Sequence, residues 1–338
     1  MKRPLLPICA ALLLGTTASA QADSLSCPES IKSLPRLVGD DTALEPSGVA
    51  WDPEAKVAIG VSDESSPYAL FAFDPAAARG DKTIRATPLL TPAQVKQFQP
   101  VDLEGITRQP NGEFLATASH TLHKDKPRET MLRFRLKKKG GASWEIETIQ
   151  PVQPSGGFHT WLSRSANPPW EAKLSQQEGE KGINVEGLGS SPDGAVLFGF
   201  RSPVMGDKPV VLSTRLEGNQ TPTAAQWRVL KLHAKFEEGG ILGIGKEPLG
   251  IRDMTALTGT PGTHLLLIGA SGSGSDLPFQ LGRWQQDQNE VTLVGRIPKG
   301  FRAEGITVLS DTGESQRLLL VSDKQGLVME CQSTLKKR

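Results

Sequence analysis

The sequence predicts an all-β fold, a β-propeller built from five four-stranded blades. Three observations point to it: one hairpin motif recurs five times, two more strand-like segments follow most copies, and a cysteine lies near each end of the mature chain. The first strand of the motif covers residues 46–52, 103–107, 185–189, 251–255 and 303–307. The second covers 57–63, 114–120, 196–201, 265–271 and 318–323. Pro110-Asn111-Gly112, Pro192-Asp193-Gly194 and Asp311-Thr312-Gly313 join the halves. Such residues accept the positive φ that tight hairpins need. Further strands are expected at 68–73 and 83–89, 130–136 and 144–149, 210–216 and 227–232, and 279–284 and 291–297. After the fifth hairpin only 327–331 remains, so its fourth strand must come from the other terminus, near residues 31–38. That closure brings Cys27 and Cys331 together, and in an oxidising compartment an even pair reads as a disulfide. Five is the favoured count. The interval from Glu104 to Glu186 leaves room for a sixth, degenerate blade.

The chain opens Met1-Lys2-Arg3, followed by an apolar run over residues 5–14 and the triplet Ala18-Ser19-Ala20. A basic start, a short apolar core and an A-x-A site describe a secretory signal peptide over residues 1–20. Residues 21–338 then form one propeller domain, soluble and periplasmic or secreted, and expected to be a monomer. No later segment has the roughly 20 apolar residues of a membrane span. Lys and Arg number 38 against 37 Asp and Glu. That balance argues against a nucleic-acid partner, which needs a basic surface.

Paired strands of a hairpin are antiparallel, so the start of the first lies beside the end of the second. Glu104, Glu186, Arg252, Asp253 and Glu304 open first strands. Asp63, His120, Arg201 and Asp323 close second strands. All nine are therefore expected at one mouth of the central channel. The longer connections share that end, the longest being 153–183, with His159, Trp161, Trp170 and a short helix expected at 169–177. Long loops on a rigid scaffold are where binding concentrates.

Two readings of this charged ring are open. In one, the glutamates bond neighbouring backbone, the glycines after them relieve crowding, and Arg201 and Arg252 pair with Glu186 and Glu304 to seal the channel. In the other the ring is functional. Crowded carboxylates repel unless a cation, a proton or arginines intervene, and calcium or another divalent ion suits an all-oxygen ring. Glu104, Glu186 and Glu304 are then the metal ligands, and Arg201, Arg252 and Asp253 contact a small anionic ligand. Asp63 or Asp323 assists at the cation, and His120 or a carboxylate activates water, which makes His120, Asp63 and Asp323 the catalytic candidates. The pair His120 and His123 has metal-ligand spacing but reads better as a solvated loop. Residues 271–275 form a Gly/Ser loop without the lysine of a P-loop, and 219–221 form a sequon by chance. No H-E-x-x-H, G-x-S-x-G or Walker motif is present, which disfavours nucleophilic serine or cysteine catalysis.

The segments Val101-Asp102-Leu103-Glu104-Gly105-Ile106, Asn184-Val185-Glu186-Gly187-Leu188, Gly199-Phe200-Arg201-Ser202-Pro203 and Gly250-Ile251-Arg252-Asp253 together resemble a bacterial exported family known as domain of unknown function 3616. That resemblance implies a propeller and supplies no activity. More distantly, the repeated Glu-Gly-Ile resembles phytase-like esterase propellers. The stretch Glu45-Pro46-Ser47-Gly48-Val49-Ala50-Trp51-Asp52 is similar to the opening of gluconolactonase-type propellers. Those relatives imply a channel metal and hydrolysis of phosphoesters or lactones, although Ser47 and Arg252 stand here where the other copies have glutamate. The expectations are thus a metal-assisted hydrolase of small anionic esters or lactones, a non-catalytic binding propeller, or a scaffold whose ring is internally paired.

Overall fold

The computed structural model describes residues 23–64, 66–78, 83–124, 126–140, 143–154, 157–165, 182–206, 208–216, 223–232, 248–272, 278–324 and 326–336. The signal-peptide segment, Trp170, the helix expected at 169–177 and the sequon at 219–221 lie outside these residues.

The described residues are predominantly β, in a propeller-like arrangement. Each of the five hairpins opens a sheet. The first sheet runs Pro46–Asp52, Val57–Ser62, Leu70–Phe73 and Thr87–Pro88. The second runs Leu103–Arg108, Phe114–Ala118, Met131–Gly140 and Ser143–Pro151. The third runs Asn184–Ser190, Val196–Met205, Lys208–Arg215 and Thr223–Val229. The fourth runs Leu249–Ala256, Thr263–Ala270, Gln280–Gln285 and Glu290–Arg296. In the fifth, Ala303–Asp311, Ser315–Ser322 and Leu327–Thr334 are followed by Arg36–Gly39 from the other end of the chain. The interval between Glu104 and Glu186 holds, among the described residues, the rest of the second sheet, a two-stranded ladder and the helix Phe158–Ser165.

The first strands of the sheets touch one another in a closed cycle: Pro46–Asp52, Leu103–Arg108, Asn184–Ser190, Leu249–Ala256, Ala303–Asp311 and back to Pro46–Asp52. The clusters of buried side chains lie largely between successive sheets. Leu103, Phe114 and Phe134 of the second sheet meet Ile59, Val61 and Leu70 of the first, for example. Glycine at positive φ turns four of the five hairpins, at Gly112, Gly194, Gly262 and Gly313, and Lys56 at φ 54° serves in the first.

Two strand expectations need correction. Residues 83–89 do not form one strand. Thr83–Arg85 pairs in parallel with Arg36–Gly39, and Thr87–Pro88 pairs with Leu70–Phe73, so the segment crosses from the fifth sheet to the first. Residues 227–232 are split the same way, with Lys231–Leu232 running parallel beside Glu290–Arg296 of the fourth sheet. Such outer-edge crossings cover exposed strand edges, and an alternation pattern does not encode them.

Ser24–Ser26 pairs with the end of Leu327–Thr334, and Cys27 is bonded to Cys331 across 304 residues of sequence. Asp23 adds a second clasp, pairing with Arg283 at 3.0 Å and accepting from the Lys336 backbone N–H at 2.9 Å. No described helix is long and apolar enough to cross a membrane.

Candidate functional site

The register of each hairpin confirms that first strands begin where second strands end: Pro46 faces Ser62, Leu103 faces Ala118, Asn184 faces Ser202, Leu249 faces Ala270 and Ala303 faces Ser322. Residue patterns do not announce what happens next in each ladder. In every one of the five, the first strand skips one residue at this end; the fifth skips a second, Leu309, farther along. Ser47, Glu104, Glu186, Arg252 and Glu304 have no partner across the ladder, while their neighbours on both sides do. This is a β-bulge at the same structural position five times. A bulge adds a residue without a ladder partner and re-aims its side chain. Here it produces a ring of five inner-strand positions carrying Ser, Glu, Glu, Arg and Glu.

The residue after the bulge is glycine in four of the five copies, and packing explains why. A Cβ on Gly48 would stand 2.6 Å from the Glu104 carbonyl oxygen, and one on Gly105 would stand 2.8 Å from the Leu188 side chain. One on Gly187 would stand 2.8 Å from the Ile251 side chain, and one on Gly305 would stand 2.9 Å from the Gly48 Cα. Each glycine is where the next sheet's inner strand passes. The fourth copy has Asp253 there. It is fully buried, and its two oxygens accept the backbone N–H groups of Ile306 (2.7 Å) and Met254 (2.8 Å). Burial pushes its carboxyl well above the ordinary carboxylate range, against the pull of those N–H groups. Asp253 is thus a pin between inner strands and not a ligand contact.

The arginines are held by carboxylates. Arg252 Nε lies 2.8 Å from Glu186 Oε2 and 2.8 Å from Glu304 Oε2, and its Nη2 also bonds Glu304. Phe279 lies against the guanidinium, with the ring centroid 5.7 Å from Cζ. Arg201 Nη1 donates to Glu186 Oε1 at 2.8 Å, its Nε to the Ser271 carbonyl at 3.3 Å and its Nη2 to the Gly272 carbonyl at 3.1 Å. All three of its nitrogens are therefore committed inside the protein. The pairing of Arg201 and Arg252 with Glu186 and Glu304 is the arrangement that seals a channel.

Glu104 stands apart. It is only partly covered, and among the described residues it has no hydrogen bond or ion pair. Burial, then Glu186, Asp102 and Glu304, push its carboxyl well above the ordinary range, with Arg252 pulling the other way. Burial also raises Glu304, to about 7, against the attraction of Arg252. A second acidic layer surrounds the ring. Asp63, at the exposed rim, is raised to about 6 by partial burial and then by Asp102, Glu45, Glu64 and Asp323. Asp102, in the left-handed region at φ 63°, is buried and pairs with Arg128 at 2.6 Å. It also takes the hydroxyl of Ser119. Sequence reasoning missed Asp102 and Arg128. The signal was an aspartate two residues before Glu104, hidden because the other copies lack it.

His120 is not at the open mouth. It is completely buried, stacked on Phe158 at 3.7 Å between ring centroids, with Nε2 2.8 Å from Thr117 Oγ1. Burial and the neighbouring His159 hold it well below the ordinary imidazole range. Fully buried and covered by Phe158, the ring is not open to the mouth where the antiparallel rule places it, which corrects its expected position. Phe158, Trp161 and Leu162 seat the short helix in the core beside the third sheet, and His159 Nε2 lies 2.7 Å from the His120 carbonyl oxygen. The described part of this long connection is therefore docked. His123 is exposed in the two-stranded ladder.

The divalent metal implied by the more distant resemblance does not fit these residues. Glu186 Oε2 and Glu304 Oε2 turn to the guanidinium of Arg252, and Glu186 Oε1 turns to Arg201. Among the described residues no group of three or more His, Cys, Asp or Glu is disposed to hold a metal ion.

The opposite mouth is a cavity of about 440 Å³ lined by all five inner strands, including Trp51, Thr107, Ser190, Thr255, Leu257 and Thr307.

Residues 174–328 match the family described as protein of unknown function (DUF3616), in agreement with the resemblance carried by the motifs. No curated protein matches the sequence significantly. Among solved structures, the major allergen Mala s 1 of Malassezia sympodialis is similar, at 8% identity and a TM-score of 0.46 over 86% of this chain and 92% of that one. A protein of unknown function from Dyadobacter fermentans gives 10% and 0.43 over 92% and 87%. The protein XC5397 of Xanthomonas campestris, described as a gluconolactonase, gives 10% and 0.38 over 95% and 99%. None of these likenesses bears on the activity of this chain.

Proposed function

We propose that this chain, which matches the DUF3616 family over residues 174–328, is an exported five-bladed propeller closed by strands from both termini. We further propose that it binds a small ammonium compound in its acidic channel mouth without chemically changing it. The closed cycle of five first strands, with Arg36–Gly39 beside Leu327–Thr334, supports the blade count and the closure. The disulfide supports a periplasmic or secreted location.

The observation that carries the ligand reading is Glu104, a channel carboxylate with some open surface and no partner among the described residues. Glu45, Asp63, Glu64 and Asp323 also lack an ion-pair partner there and push the field further negative. An anion would have to displace Glu186 and Glu304 from their arginines, at the cost of leaving buried carboxylates uncompensated. A cation meets the free carboxylate and relieves the repulsion. Among the described residues neither an activated nucleophile nor a proton-transfer histidine reaches the mouth, and binding without turnover accounts for this geometry.

Thermal unfolding with putrescine and spermidine, set against gluconate and inorganic phosphate, tests this. The amines should raise the unfolding temperature, less so at high salt, and Glu104→Gln should abolish the rise. Stabilisation by the anions and not by the amines would overturn the reading.

A further inference from the structure

We infer that Arg252 is a built-in counter-cation: its guanidinium takes the place of a divalent ion among Glu104, Glu186 and Glu304, and the ring carries a latent cation site that opens when this arginine is removed. The inference concerns the same mouth but does not depend on which ligand the protein binds.

The bulges put the compared positions in one register. Glu104, Glu186, Arg252 and Glu304 are the same skipped residue in four different sheets, so Arg252 occupies a position that three other sheets fill with a carboxylate. Three carboxylates from separate strands would supply the oxygen-rich set that a hard cation favours. Instead the guanidinium reaches both Glu186 and Glu304 at 2.8 Å from Nε, and its charge also acts on Glu104. One side chain is thus the shared counter-charge of Glu186 and Glu304, with Glu104 at the same register position in its own sheet.

The socket is also shaped for an arginine. Phe279 packs against the guanidinium, and Gly269 leaves room for its stem: a Cβ there would stand 3.1 Å from Arg252 Cγ and 2.9 Å from the Phe279 ring. Arg201 holds the far oxygen of Glu186 at 2.8 Å, so that carboxylate would stay in place without Arg252. A buried oxygen of Glu304, Oε1, has no hydrogen-bond partner, and Glu186 Oε2 meets Arg252 only as an ion pair. These oxygens are the donors a metal would take up.

The test uses calcium alone as probe, by calorimetric titration and by thermal unfolding in calcium or in chelator. The wild type should show no calcium heat at the mouth and the same unfolding temperature in both. Arg252→Ala should unfold at a lower temperature in chelator and recover in calcium, with a Kd on the order of 0.1–1 mM, as in extracellular calcium modules. Adding Glu186→Gln should remove that affinity. A variant that folds only in calcium counts as binding. If Arg252→Ala folds in neither condition, Arg252→Gln takes its place: recovery in calcium supports the inference, and indifference to calcium overturns it. Calcium binding by the wild type that Glu186→Gln abolishes would overturn the inference, as would a folded arginine-less variant blind to calcium. The amine titration of Glu104 reads a different event, so either result stands without the other.

Discussion

The two mouths of the channel are made by the same five strands and differ in kind. At one, each strand contributes a skipped residue, and the ring so formed holds three glutamates, an arginine and a serine. At the other, the same strands continue into a roomy cavity faced by hydroxyl and apolar side chains such as Thr107, Thr255, Thr307, Trp51 and Leu257. The cause is local. Where pairing is regular, a side chain is fixed to one face of its sheet by the pleat. At a bulge the chain gains a residue released from that rule. The scaffold can therefore change the chemistry of one mouth, by changing five residues, while the strands below keep their packing.

The largest effect expected from this comparison is at Arg252. Arg252→Met removes the shared counter-charge and leaves Glu186 and Glu304 buried beside each other. Breaking a buried pair in this way costs about 3–5 kcal/mol. Denaturant unfolding in chelator should show that loss, and adding Glu186→Gln and Glu304→Gln should restore most of it. A loss below about 1 kcal/mol would mean that the ring is solvated and that the two mouths do not differ in this way.

A smaller loss is expected at Gly105. Its alanine would press on Leu188 at 2.8 Å and on the Glu186 carbonyl oxygen at 3.0 Å. Overpacking of this sort costs about 1–3 kcal/mol, and moving the Glu186 backbone should also weaken amine binding. Unfolding and amine titration of Gly105→Ala, done together, check both. Lost stability with intact binding would separate ring geometry from blade packing.

The pH dependence sharpens the contrast further. Asp63, Glu304 and Glu104 all have carboxyls raised in the folded protein, to about 6 and about 7 for the first two. Between roughly pH 4 and 7 the folded state therefore holds more protons than the unfolded chain, and stability must fall as pH rises through that window. Unfolding temperature should be higher at pH 5 than at pH 7.5. Asp63→Asn should flatten the lower part of the slope, and Glu304→Gln the upper part. A slope of the opposite sign would show that the arginines outweigh burial at this mouth.

How much of this was legible in the sequence follows from what each feature depends on. The five hairpins rest on local alternation and turn residues, the cysteine pair on an even count in an oxidising compartment, and both are present. The antiparallel rule placed Glu186, Arg201, Arg252 and Glu304 together, because it needs only chain direction. The crossing of residues 83–88 between sheets was hidden, since outer-edge pairing depends on neighbours far away in sequence. The bulges were hidden for a different reason. A skipped residue breaks alternation by one, and in Leu103-Glu104-Gly105-Ile106 the glycine masks the break. His120 was misplaced because chain direction brings a residue to a mouth but does not say whether it turns into the core. The helix around Phe158, whose ring covers the imidazole, comes from a segment 38 residues later.

The smallest expected effect lies at the other mouth. Thr255 lines its cavity and is partly exposed, and it follows the bulge at Arg252 by three residues on the same strand. Thr255→Val keeps the β-branched shape and the strand preference while removing a hydroxyl. Substitutions of this kind away from packed or paired groups stay within about 0.5 kcal/mol. The variant should therefore unfold like the wild type and bind amines unchanged. If it altered amine binding, the channel would be one continuous site, and the bulges would not mark its boundary.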